Sequence, residues 1–204
     1  GLEVRKRASG ALALRGRFPY NQRAVLSDGG RTGRPRKEVI ASRAFGYRVD
    51  RPDEDIHFLV GHSYDRPLAS RKAGTLDLQD GDDALIFEAR ISPEMQEVSY
   101  VRDFLVSLNA GLIVGLSPGF RIPPKRAVEE AELIEDEGSD PENGEHNAII
   151  RTVLQALLYE MSVVTRPAYD GTQIEARNWQ ATQPPIVGTY SQFAPLPHLN
   201  RWRL

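Results

Sequence analysis

Ser117 carries the hydroxyl with the clearest potential for nucleophilic chemistry in this sequence. The stretch 111–122 around it alternates between apolar and small or polar residues, which predicts a β-strand. Gly115 and Gly119 stand two residues away on the same predicted face, so we expect the hydroxyl to lie open to an extended substrate. Ser-Pro-Gly is also typical of a turn at a strand end, and this alternative stays open. The opposite face is predicted to be core and consists of Leu112, Val114 and Leu116.

A serine hydroxyl becomes a strong nucleophile only when a neighbouring base takes its proton. His62 is a candidate for that base because it closes the predicted strand 56–62. Glu160 is the only charge in the apolar run 157–164, and a carboxylate buried without a partner is unfavourable, so we expect a partner, with His62 among the candidates. A carboxylate bound to an imidazole holds its tautomer and stabilises its charged form. Two alternatives stay open: His62 as a hydrogen-bonded structural histidine, and Glu160 on an edge strand that faces solvent.

The sequence from Gly115 to Gly119 also fits G-x-S-x-G, the nucleophile turn of α/β-hydrolases. That motif requires a helix directly after the serine, and the segment 118–124, with its three prolines, cannot form one. It also requires an acid and then a histidine after the serine, and only His146 and His198 are available there. An α/β-hydrolase is therefore not expected.

The elements that must position these side chains are predicted to be mainly strands. One helix is indicated, with Ser92 as N-cap, Pro93 at the first helical position and a stop at Asn109 and Gly111. It leads directly into the strand of Ser117. Its apolar stripe consists of Met95, Val98, Val101, Leu105 and Leu108. The predicted strands are 12–20, 37–45, 56–62, a hairpin formed by 73–78 and 84–91, and 149–164.

Composition limits the class of protein. The 204 residues have a net charge of −2, so overall charge indicates no partner. Cysteine is absent, which excludes disulfides, thiol catalysis and cysteine-ligated metal and is typical of a reducing compartment. No apolar run is long enough to cross a bilayer, and the first residues do not form a secretory signal. We expect a soluble intracellular protein.

Charge is unevenly distributed along the chain. Residues 5–37 are strongly basic, and residues 129–145 are acidic without a basic residue. Such blocks are typical of solvated loops, or they serve as electrostatic contacts for a charged partner; both interpretations stay open. We predict a surface helix over 126–137 and a mobile segment after it. The domain is predicted to span 1–179 with an acidic insertion at 126–147, followed by a Pro/Gln-rich tail at 180–204.

Four motifs together resemble the tailed-phage prohead protease family, which also occurs in phage-derived gene transfer agents and is related in fold to the herpesvirus assemblins. They follow the family order and cover residues 12–176. The motifs are Glu38 with Ala44-Phe45 (E-x-x-x-x-x-A-F), His62 with Gly74-Thr75-Leu76, the stretch from Leu116 to Arg121 (L-S-x-G-F), and the stretch from Glu160 to Tyr169 (E-V-S-x-V-x-x-P-A-Y).

The resemblance implies a serine endopeptidase with Ser117 as nucleophile, His62 as general base and Glu160 in the place of the second histidine of assemblins. Arg166 matches an arginine that organises the oxyanion site in assemblins. The implied fold is α+β and mostly β: an antiparallel β-barrel surrounded by a few helices.

The implied activity is cleavage of the major capsid protein and its scaffold segment inside the procapsid, in the host cytoplasm, with self-cleavage. We also expect self-association as a homodimer or higher assembly, and no cofactor, metal, membrane or nucleic acid.

Two other classes of function stay open. A catalytically silent scaffold or capsid-assembly component would keep the same fold without the reaction. A nucleic-acid-binding module would use the basic residues 5–37, but the sequence lacks the aromatic platform of single-strand binders.

Overall fold

The computed structural model describes residues 2–113, 115–140, 142 and 145–169. These residues form mainly strands, joined by a few short helices. In chain order the elements are β1 (Leu2–Lys6), β2 (Leu12–Pro19), β3 (Arg23–Ser27), β4 (Arg36–Ile40), α1 (Gly46–Val49), β5 (His57–Val60), β6 (Ser63–Ser70), β7 (Leu76–Asp80), β8 (Ala84–Ile91), α2 (Pro93–Gln96), α3 (Ser99–Asn109), β9 (Gly115–Arg121), β10 (Glu132–Asp136), β11 (Ser139–Asp140), β12 (Glu145–His146), β13 (Ile149–Val153) and β14 (Leu157–Val164).

The first sheet is antiparallel, with the strand order β1-β2-β8-β7. The predicted hairpin is confirmed as β7 and β8, and the predicted strand 12–20 as β2, although β1 precedes it in the chain. Strand β8 alternates as expected, because every second side chain packs in the core. These buried residues are Leu85, Phe87, Ala89 and Ile91.

The second sheet has the order β10-β13-β4-β3, and β13 runs parallel to β4. The predicted surface helix over 126–137 is wrong, because residues 132–136 of that segment form β10, which pairs antiparallel with β13. Its side chains are all exposed. A charged, exposed segment has no apolar stripe to favour a helix, and the free edge of β13 supplies the backbone partners that a strand needs.

The third sheet, β6-β5-β14-β9, carries Ser117 and Glu160 of the predicted triad on its strands and His62 in the turn between β5 and β6. Strand β14 lies between β5, to which it is parallel, and β9, to which it is antiparallel. The predicted strand 149–164 is in fact two strands, β13 and β14, which the turn after Val153 sends into different sheets. The central position of β14 excludes the edge-strand alternative for Glu160.

The predicted single helix is divided into α2 and α3 at Val98, whose backbone is extended. Ser92 caps the first helix as expected, because its Oγ accepts a hydrogen bond from the Met95 N–H at 3.3 Å. Gly111 ends the second helix with a φ of +70°. In this C-terminal cap the N–H of Gly111 donates to Leu108 O at 3.0 Å, so the predicted stop is confirmed.

One core joins all three four-stranded sheets through side chains such as Leu14, Ile40 and Met161. The prediction of a mostly β chain with a few helices is confirmed. The sheets are open and include two parallel pairings, and no closed barrel is found in the described ranges, so the antiparallel barrel is not confirmed. No helix among these residues has the length and apolar character needed to span a bilayer. The predicted tail at 180–204 lies outside the described residues.

Candidate active site

His62 lies in a two-residue turn between β5 and β6. Gly61 and His62 both have left-handed backbone conformations, with φ of +61° and +60°, which is the geometry of a type I′ hairpin turn. This conformation is uncommon for a residue other than glycine. Two hydrogen bonds to β14 fix the position of this turn. The Gly61 N–H donates to Val163 O at 3.0 Å, and the His62 N–H donates to Ser162 Oγ at 2.9 Å.

A β-bulge at Tyr159 decides where Glu160 points. Leu158 pairs with Phe120 and Glu160 with Gly119, so Tyr159 is the extra residue between them. Strict alternation would place Glu160 on the same face as Leu158, which is fully buried in the core. The inserted residue moves Glu160 to the other face of the sheet, beneath the His62 turn, as bulges next to active sites commonly do.

His62 and Glu160 form a short hydrogen bond. The imidazole Nδ1 lies 2.6 Å from Glu160 Oε1, and Ser162 Oγ donates to Glu160 Oε2 at 2.6 Å. The Glu160 side chain is 5% exposed and that of His62 is 45% exposed, so the carboxylate is enclosed while the ring reaches solvent. An ionised carboxylate can only accept a hydrogen bond, so a neutral imidazole opposite it has its proton at Nδ1 and its lone pair at Nε2. The expected pairing of Glu160 with His62 is confirmed.

Ser117 lies on β9 directly opposite Ser162 in the β-ladder. It lines an open cavity of about 400 Å³ together with His62, Ile113 and Arg166. The structure therefore brings the predicted nucleophile and base to one cavity. No hydrogen bond joins Ser117 to His62 in the part of the chain that the structure describes. Catalytic hydrogen bonds are often long in substrate-free enzymes and shorten when substrate binds.

The two glycines near Ser117 do not open space for a substrate, as had been expected. The space beside Gly115 is filled by the Pro167 ring, and the space beside Gly119 by the Glu160 carboxylate, so a Cβ at either position would overlap these groups. They admit neighbours from this chain rather than a substrate. The prediction for the opposite face was also wrong in part: Leu116 is buried, but Leu112 is 63% exposed because it follows the α3 cap before β9 begins. Val114 lies outside the described residues.

Arg166 lines the same cavity just after the end of β14. Its side chain is exposed and forms no ion pair with another residue in the described ranges. Pro118, which follows Ser117, has no N–H, so an oxyanion at the cavity needs donors from elsewhere. Arg166 is the cationic residue among those that line the cavity.

Aromatic and cationic side chains lie around Tyr159, the residue before Glu160. The guanidinium carbons of Arg48 and Arg121 lie 4.3 and 5.5 Å from the ring centroid of Tyr159, the bulged residue. Burial, and then the negative charge of Glu160, raise the pKa of Tyr64 on β6. No group of three His, Asp or Glu side chains within the described ranges is arranged to hold a metal ion.

Ser162 and Gly119 are the two contacts of Glu160 that the sequence analysis missed. Ser162 touches both His62 and Glu160, and Gly119 provides the room for the carboxylate. A signal for Ser162 was present, since it stands two residues after Glu160 in a predicted strand and thus on the same face.

A family model described as caudovirus prohead serine protease matches residues 26–184 of the chain. No curated protein and no solved structure matches significantly. The matched range covers most of the 204 residues and contains His62, Ser117, Glu160 and Arg166. The family is one of serine proteases of capsid maturation, and the resemblance in the four sequence motifs is confirmed: the chain belongs to the family of caudovirus prohead serine proteases.

Proposed function

We propose that this protein is a serine endopeptidase in which Ser117, His62 and Glu160 act as the catalytic triad. The observation that carries the proposal is the 2.6 Å contact between His62 Nδ1 and Glu160 Oε1, beside a cavity that His62 shares with Ser117. Of the two ring nitrogens, only Nδ1 has a hydrogen bond in the described ranges, which leaves Nε2 for a proton transfer.

The reaction follows from these positions. Ser117 Oγ forms a bond to the scissile carbonyl carbon while its proton passes to Nε2 of His62. Glu160 keeps its bond to Nδ1 and stabilises the imidazolium by its negative charge. The C–N bond then breaks, and the proton moves from His62 to the leaving amine. A water molecule then forms a bond to the acyl carbon while its proton passes to Nε2 of His62. The ester bond to Ser117 Oγ breaks, the proton moves from His62 to Oγ, and the second product leaves as a carboxylic acid.

The negative oxygen of the tetrahedral intermediate needs donors at the cavity. Because Pro118 cannot donate, we assign this role to Arg166, whose guanidinium can reach the cavity that it lines. An arginine without an acidic partner in the described residues is available for a developing negative charge. Arg166→Ala should then lower kcat more than it changes KM, because the charge exists only in the transition state.

The proposed substrates are the major capsid protein and its scaffold segment inside the procapsid, with cleavage of the protease itself as a further reaction. Family membership supports capsid maturation, and with it a protein substrate, in general. Self-association as a homodimer or larger assembly is part of the proposal. We also propose that the three sheets close around their common core into a barrel like that of the assemblins.

Labelling with a fluorophosphonate tests the proposed nucleophile without knowledge of the natural substrate. Ser117 Oγ would form a bond to phosphorus, fluoride would leave, and the serine proton would pass through His62 to solvent. We expect one phosphonyl group on Ser117 by peptide mapping, and none in Ser117→Ala or His62→Ala. Labelling elsewhere, or none in the folded wild type, would favour the catalytically silent scaffold instead.

A further inference from the structure

Ser162 joins the two partners of the catalytic contact through one hydroxyl group. Its Oγ donates to Glu160 Oε2 at 2.6 Å and accepts the backbone N–H of His62 at 2.9 Å. The residue is fully buried, with 0% exposure, in the middle of β14. It therefore cannot touch a substrate, although it lies opposite Ser117 in the ladder.

The two hydrogen bonds restrain different degrees of freedom. The bond to Oε2 fixes the rotation of the Glu160 carboxylate, so that Oε1 stays directed at Nδ1 of His62. The bond from the His62 N–H holds a turn whose φ of +60° is unfavourable for histidine and persists only where its surroundings enforce it. One hydroxyl thus sets both the direction of the acid and the position of the base.

Two other neighbours confine the same carboxylate. Gly119 leaves room for Glu160 only because it has no Cβ, and the Tyr159 bulge turns Glu160 to this face. Both features admit the carboxylate but neither binds its oxygens. In the described part of the chain, Ser162 supplies the hydrogen bond that Oε2 receives.

We propose that Ser162 is a positioning residue of the catalytic site, acting through Glu160 and His62. This inference rests on the proposed function, since it assigns a partner to the same triad. Loss of the hydroxyl leaves Oε2 and the His62 N–H without their buried partner, so the carboxylate rotates and the imidazole shifts. A displacement of about 1 Å at a reacting group lowers the rate by roughly a hundredfold, so Ser162→Ala should react about ten- to a hundredfold more slowly.

The experiment compares the rate of fluorophosphonate labelling of Ser117 in the full chain for wild type, Ser162→Ala and Ser162→Thr. Threonine keeps the hydroxyl and suits a strand, so it should recover most of the lost rate. Ser92→Ala is the matched control, since it removes a structural serine hydroxyl at the α2 cap, away from the cavity. Its labelling rate should equal that of wild type.

A second measurement separates positioning from stability. The imidazole N–H proton of His62, observed by NMR with isotope-labelled histidine and assigned with His62→Asn, reports the hydrogen bond to Glu160. We expect this downfield signal in wild type and Ser162→Thr, and its shift or loss in folded Ser162→Ala. Equal labelling rates and an unchanged signal in Ser162→Ala would overturn the inference while leaving the triad intact. Absence of labelling in wild type would instead contradict the proposed function, and the NMR signal alone would then decide the role of Ser162.

Discussion

At the scale of single residues, Glu160 connects Ser162 to His62, the proposed general base, through one hydrogen bond to each. Its expected partner followed from elementary physics, because an acid inside an apolar run needs a hydrogen-bonded neighbour and His62 was one of few candidates. Its direction did not follow, because alternation alone cannot reveal the bulge at Tyr159. Gly119 was expected to leave space for a substrate, but Glu160 from another strand fills that space, and alternation along one strand cannot predict such a neighbour.

Replacing Glu160 with glutamine should slow the enzyme without abolishing it. A neutral amide cannot stabilise the imidazolium and can favour the wrong tautomer, so we expect kcat to fall by about 10²- to 10⁴-fold. The measurement is the cleavage rate of a capsid-protein peptide. Glu38→Gln is the control, since Glu38 is a similarly buried acid whose partners are Tyr169 and Arg151, and none of the three lines the cavity. A cleavage rate in Glu160→Gln equal to that in Glu38→Gln would exclude Glu160 from the triad.

Gly119→Ala should reduce activity through Glu160 although the substitution is small. The added Cβ would overlap the carboxylate, which must move and release His62. We expect a rate at least tenfold lower, with a folded protein by circular dichroism. In Gly81→Ala the new Cβ comes no closer than 3.4 Å to the Ala84 carbonyl oxygen, so that variant should keep its rate. Full activity of Gly119→Ala would show that the carboxylate can adapt.

At the scale of elements, local patterns predicted the strands and caps better than their partners. The hairpin of β7 and β8 and the caps at Ser92 and Gly111 depend on short-range turn and helix rules, and they are confirmed. Strand β10 depends instead on the edge of β13, a partner that lies elsewhere in the chain and has no local signature. The exposed, mostly acidic residues 132–136 were therefore predicted as part of a helix, although they form a strand.

Glu137, which follows β10, should make the stability of this sheet sensitive to acid. The Lys37 ammonium that donates to Glu137 lowers the pKa of its carboxyl group, and the N–H groups of His146 and Ala148 add to this effect. A lowered pKa in the folded state stabilises the fold above the usual carboxyl pKa, and this contribution is lost as the pH falls through the folded-state value.

We therefore expect Glu137→Gln to lower the urea midpoint at neutral pH and to match wild type in acid. Glu135→Gln, two residues earlier on β10 and without an ion pair to a described residue, should change the midpoint little at either pH. A difference between Glu137→Gln and wild type that stays constant with pH would show that the ion pair with Lys37 is not its cause.

At the scale of the whole molecule, the two blocks of opposite charge bind each other. Arg34 pairs with Asp136, while Arg23 and Lys37 both pair with Glu137. These ion pairs join β3, β4 and the residues just before β4 to the end of β10 and the residue after it. Some of the charges in the two blocks therefore pair within the chain and are not available to a charged partner. Both blocks are visible in the sequence, but their pairing could not be predicted from it. More than 90 residues separate them, and charge alone does not determine which basic residue pairs with which acidic one.

The family and the meeting of distant segments could both be predicted from the four motifs, whereas the open arrangement of the sheets could not. Motifs record which residues stand in order along the chain, but whether sheets close depends on strand tilt and stagger, which no single motif encodes. The pairing of β14 with both β5 and β9 in the third sheet explains why His62, Ser117 and Glu160 lie near one another despite their separation in sequence.

The central claim is that the Ser117 hydroxyl cleaves a capsid protein, and intact mass spectrometry tests it most directly. The major capsid protein is co-expressed with wild type, Ser117→Ala or the control Ser107→Ala, which alters a serine of α3 that does not line the cavity. We predict a shortened capsid protein with wild type and Ser107→Ala, and the full-length mass with Ser117→Ala. The same shortened mass with Ser117→Ala would contradict the account.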